Sequence, residues 1–62
     1  MNTVYIVTYI YTNNLDEDKK VIDSVYKLMS TAKARKYTLE KELEDNYNMY
    51  NIYIEIEKFE LI

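Results

Sequence analysis

The segment that most constrains this chain is residues 4 to 12, VYIVTYIYT, which carries no charge and is almost wholly β-branched or aromatic. Such side chains suit a pleated, half-buried surface and are enriched in strands. Alternation puts Val4, Ile6, Thr8 and Ile10 on one face of the strand and Tyr5, Val7, Tyr9 and Tyr11 on the other. Neither face is charged, so the strand is expected at the centre of a sheet, paired along both edges. A central strand needs two neighbours, and the rest of a 62-residue chain must supply them.

Residues 50 to 61, YNIYIEIEKFEL, supply one. Tyr50, Ile52, Ile54 and Ile56 point one way; Asn51, Tyr53, Glu55, Glu57 and Phe59 point the other. Strict alternation marks a half-buried strand, and its glutamates with Lys58 suit an edge, where charge discourages stray pairing. Residues 31 to 47 are rich in Ala, Lys, Arg, Leu and Glu. Their stripe of Ala32, Leu39, Leu43 and Tyr47 predicts an amphipathic helix, with Ser30 as its N-cap. Asn13-Asn14 reads as a turn, because Asn tolerates left-handed backbone angles.

The architecture depends on residues 19 to 29, KKVIDSVYKLM. Val21, Val25 and Leu28 extend the helical stripe upstream, which gives β-α-β with one helix of about 30 residues, about 45 Å long. A nine-residue strand reaches only about 30 Å, so that helix would overhang its sheet. The other reading makes 20 to 29 a strand joined to the first by a hairpin. The expected fold is therefore α+β: a β-β-α-β domain spanning 1–62, a three-stranded antiparallel sheet with one helix on one face. The single long helix is the alternative. The core expected on this reading is Val4, Ile6, Ile10, Leu39, Leu43, Ile52, Ile54 and Ile56, with Ala32 at the close helix–sheet contact.

The segments VYIVTY, IDSVY, STAKARKY and IYIEIEKFEL resemble a family of small proteins from bacteriophages and other mobile elements of low-GC bacteria, of no assigned function. The resemblance implies the order strand, strand, helix, strand. In it a Ser-Thr pair opens the helix and an acidic, aromatic strand closes the chain. This chain departs from that pattern by placing Lys27-Leu28-Met29 between the Val-Tyr and Ser-Thr pairs. The resemblance brings no catalytic residues. It implies a phage-encoded inhibitor of a host defence system, working in the host cytoplasm.

Composition narrows the chemistry. The chain has no Cys, so disulfides and thiolate metal sites are excluded, and no His, the commonest general base and zinc ligand. It has no Gly, so Gly-rich phosphate loops are excluded. Ser24 and Ser30 lack a His to activate them and read as capping or solvated hydroxyls. Glu55 and Glu57, at i and i+2, lie about 7 Å apart on one strand face, a spacing compatible with glycoside chemistry. So short a chain has little room for a cleft around them, and a partner-facing edge is the better reading. Asp16-Glu17-Asp18 is followed by Lys19-Lys20 and does not match a calcium loop. No enzyme activity, cofactor or metal is expected. The start of the chain has no basic region or cleavage site and no apolar run spans a bilayer, so a cytoplasmic protein without a membrane partner is expected.

Partner recognition remains. Residues 19 to 36 hold six basic residues against Asp23, with Tyr26 and Tyr37 between them, but residues 40 to 60 hold seven acids against Lys41 and Lys58. In so small a body the acidic third opposes phosphate binding, so a nucleic acid through segment 19–36 is the lesser alternative. One helix covers one side of a sheet. The uncovered side is expected to present Tyr5, Tyr9, Tyr11, Tyr53 and Phe59, with Val7 among them and Glu55 and Glu57 beside them, as a protein-binding face. The occupant would be a host protein or a second copy of the chain, as a homodimer.

Overall fold

The computed structural model describes residues 2–61. The uncharged N-terminal run becomes β1 (Asn2–Asn13), and it is the middle strand. It is followed by β2 (Asp18–Tyr26), α1 (Met29–Glu44) and β3 (Met49–Leu61). Both neighbours pair antiparallel to β1, giving the sheet order β2-β1-β3. The fold is the β-β-α-β reading. Residues 18–26 pair with β1 and do not extend the helix, so the long-helix alternative does not hold.

The hairpin between β1 and β2 is closed without glycine. The Asn13 side-chain carbonyl accepts the backbone N–H of Leu15 at 2.9 Å and of Glu17 at 3.0 Å, while Asp16 takes the left-handed position at φ 60°. Short polar side chains that bond their own backbone fill this role where glycine is absent. Helix α1 starts earlier than expected. Leu28 occupies the N-cap position with no side-chain cap, and Ser30 lies inside the first turn. Two residues after β2 lead straight into the helix, which leaves no room to place Ser30 outside it. The helix also ends at Glu44, so Tyr47 falls beyond it and is 100% exposed.

Two bulges set which side chains face the helix. Val7 pairs with Ser24 and Thr8 with Ile22, leaving Asp23 as an extra residue on β2. Ile10 pairs with Tyr53 and Thr12 with Tyr50, so Asn51 and Ile52 oppose Tyr11 alone, and Asn51 sits at φ 54°. An extra residue flips the side-chain parity beyond it. Ser24 and Tyr26 therefore share the face of Val7 and Tyr5, and Val25 takes the other face with Ile6.

The buried core is Val7, Ala32, Leu39, Leu43 and Ile54, with Tyr5, Tyr9, Tyr26, Met49, Ile52 and Ile56 packed around it. Ala32, Leu39 and Leu43 of the helical stripe and the isoleucines of β3 lie as expected, whereas Tyr50, expected beside those isoleucines, pairs with Thr12 on the other face beyond the bulge. The faces of β1 do not. Val4, Ile6 and Ile10, expected in the core, lie on the face away from α1, while Tyr5, Val7 and Tyr9 turn toward it. The cause is the pairing register. Val7 is opposite Ile56 and Tyr9 opposite Ile54, and paired residues share a face.

Candidate functional site

The register places the uncovered face row by row. From one end, Phe59 sits beside Val4, then Glu57, Ile6 and Val25 line up across the three strands. Glu55, Thr8 and Ile22 follow, then Tyr53, Ile10 and Lys20, then Tyr50, Thr12 and Asp18. Val4, Ile6 and Ile10 are half-buried by their neighbours, while Val25, Tyr53 and Phe59 stay exposed and Ile22 is 67% exposed. The apolar band spans the three strands, about 14 Å, with Glu57, Glu55, Thr8 and Lys20 set among its side chains.

One ion pair crosses the band. Lys20 on β2 and Glu57 on β3 meet at 3.0 Å, and they flank β1 at Ile10 and Ile6. Thr8 lies between those two positions and is only 1% exposed, although no helix covers its face. Its hydroxyl has no hydrogen-bond partner. At the end of the face, the Tyr50 hydroxyl donates to Asp16, which raises the phenol pKa; burial adds to this.

The seven residues expected on this surface divide. Tyr53, Glu55, Glu57 and Phe59 of β3 are on the uncovered face. Tyr5 and Tyr9 are packed against the core beneath α1. Tyr11 lies on that same side, its ring 6.0 Å from that of Tyr9. Reading the sequence alone missed that Val4, Ile6, Ile10, Ile22, Val25 and Lys20 complete the surface. The available signal was Val7, a small aliphatic between two tyrosines, which fits under a helix where Ala32 makes the approach close.

Part of the basic segment is also tied down. Arg35 on α1 donates two hydrogen bonds of 2.8 Å to Asp23, the bulge residue, and reaches Glu42 at 3.3 Å. Asp23 also accepts from Ser24 at 2.6 Å. The Arg35 guanidinium holds the Asp23 carboxyl down at about 2, against the opposing effect of burial. This pair clamps the helix to the edge strand and leaves Arg35 less free for phosphate.

Glu57 is engaged by Lys20, and Glu55 stands opposite Thr8 on a flat face, so the two carboxylates do not converge on a cleft. A groove of 380 Å³ between α1 and β3 is lined by Lys36, Glu40, Leu43, Glu44, Ile52 and Tyr53, among others. It is open and holds no nucleophile–base pair. Among the described residues no cluster of three or more acidic ligands is arranged to hold a metal, and no helix is long and apolar enough to cross a membrane. Comparison of the chain with protein-family models, curated proteins and solved structures found no match.

Proposed function

We propose that this protein is a non-enzymatic protein-binding module whose contact surface is the sheet face opposite α1. The observation that supports this reading is the apolar band of Val4, Ile6, Ile10, Ile22, Val25, Tyr53 and Phe59, left uncovered by the chain's own helix. Aromatic and aliphatic anchors in such a band supply affinity, and Glu55 and Glu57 at its rim steer a basic partner. The engagement of Arg35 by Asp23 and of Lys20 by Glu57 favours protein over nucleic acid as the ligand. The resemblance to phage proteins supports a host protein as target, with inhibition of a host system in the host cytoplasm as the outcome.

The test compares variants of the face with a control on the helix. Tyr53→Ala and Phe59→Ala are each expected to weaken binding of a purified partner by about 1–3 kcal/mol in calorimetry. Tyr37→Ala, exposed on α1, is expected to leave it unchanged. Equal losses from Tyr37→Ala would place the contact on the helix and defeat the reading.

A further inference from the structure

We infer that the outer edge of β3, with the groove between it and α1, takes an extended, basic segment of a partner protein as a fourth strand of the sheet. This edge is distinct from the sheet face proposed above as a contact surface and does not depend on it.

β3 is an outer strand of the order β2-β1-β3. From Tyr53 to Leu61 it pairs one to one with β1, which gives about 30 Å of regular edge without a bulge. On the outer side of such a strand, alternate residues direct N–H and C=O away from the sheet. Among the described residues, no turn, cap or side chain bonds the backbone of residues 50 to 61 outside the ladder with β1. The outer edge of β2 is different. The Asp23 bulge interrupts it mid-strand, and Arg35 ties the helix down to it there. On the β3 side the helix leaves an open groove of 380 Å³ instead.

The groove has an apolar floor of Leu43, Ile52 and Ile54. Tyr53, whose side chain lies on the other face of the sheet, also lines it, so the groove reaches the outer margin of the strand. A strand added along that margin gains main-chain hydrogen bonds and sends alternate side chains into the groove. Charge decides what those side chains are. Glu40 and Glu44 stand exposed on the groove wall with no ion pair among the described residues, against Lys36 alone. α1 ends at Glu44, which puts the negative pole of the helix at the same place. A Lys or Arg two residues from an aliphatic side chain fits this wall, its stem lying on the apolar floor. A second copy of the chain does not. Antiparallel pairing of β3 with itself about residue 55, 56 or 57 would set Glu55 or Glu57 opposite themselves or each other, which is destabilising.

The probe is a fluorescein-labelled peptide, Thr-Ile-Thr-Lys-Thr-Ile-Thr, which carries its apolar and basic side chains on one face. At low salt it is expected to bind the full chain in fluorescence anisotropy, and to slow hydrogen exchange at alternate β3 amides between residues 53 and 61 by NMR. Glu40→Lys with Glu44→Lys, both at exposed helix positions, is expected to keep the circular dichroism of the fold and to weaken binding at least about fivefold. Glu in place of the peptide's Lys should weaken it similarly. The same peptide N-methylated at every residue keeps its side chains, lacks the donors and should not bind. Ile22→Lys, on the uncovered face, should leave binding unchanged. No binding at about 1 mM peptide overturns the inference. So does undiminished binding of the N-methylated peptide, or binding without protection of β3 amides. Loss of binding on Ile22→Lys but not on the paired Glu reversals moves the peptide to the uncovered face and overturns the edge. A free chain with β3 amides already protected, at twice 7.5 kDa in sedimentation equilibrium, has its own copy on the edge and overturns the basic partner.

Discussion

Asp23 receives two hydrogen bonds from Arg35 and one from Ser24, and its carboxyl is held down at about 2. A carboxyl that is harder to protonate when folded adds stability above its unfolded pKa of about 4. That contribution, about 2 kcal/mol, is lost as pH falls from about 4 through about 2. Thermal melts between pH 5 and pH 2 should show this slope in the wild type and a weaker one in Asp23→Asn, which should also melt lower at neutral pH. The tyrosines give a second test at this scale. Tyr9 packs on the core and burial raises its phenol pKa, whereas Tyr53 is exposed. Tyr9→Ala should cost about 2–3 kcal/mol in urea unfolding, and Tyr53→Ala less than about 0.5 kcal/mol. Losses of equal size would mean that β1 turns its tyrosines outward after all.

At the scale of elements, what was legible depended on whether the pattern had one solution. An uncharged strand had to be central, and β1 is. The hairpin was legible from length, since a helix of about 30 residues overruns a short sheet. The side of β1 that meets the helix was not legible. Both of its faces are uncharged, and only the register opposite Ile54 and Ile56 separates them. The bulge at Asp23 was equally hidden, because the polar pair Asp23-Ser24 interrupts the apolar residues of 21 to 26 without showing that the parity flips there. Half of the candidate surface followed from β3, whose alternation with glutamates was unambiguous; the half on β1 was inverted with its face. The elements carry two predictions. Leu28 stands at an uncapped helix start, exposed, so Leu28→Asp should raise stability by about 1 kcal/mol through a new cap and the helix dipole. Asn51 holds a left-handed angle inside β3, so Asn51→Val should lower stability by about 1–2 kcal/mol. Chemical denaturation measures both.

Taken whole, the molecule has a small core: Val7, Ala32, Leu39, Leu43 and Ile54 are its buried hydrophobic side chains among the described residues. A core of that size rarely supplies more than about 3–5 kcal/mol, and this chain has no disulfide to add to it. Ile54 sits where β3, Tyr9 and the helix meet, so no neighbouring side chain is free to fill the space it would leave. Removing its three outer carbons should cost about 2–5 kcal/mol, a loss comparable with the whole stability. Ile54→Ala is therefore expected to be largely unfolded at 37 °C by far-ultraviolet circular dichroism. Ile22→Lys, an equally drastic change on the uncovered face, should remain folded. If Ile54→Ala instead melts cooperatively near the wild-type temperature, the core lies elsewhere, and the assignment of the two sheet faces falls with it.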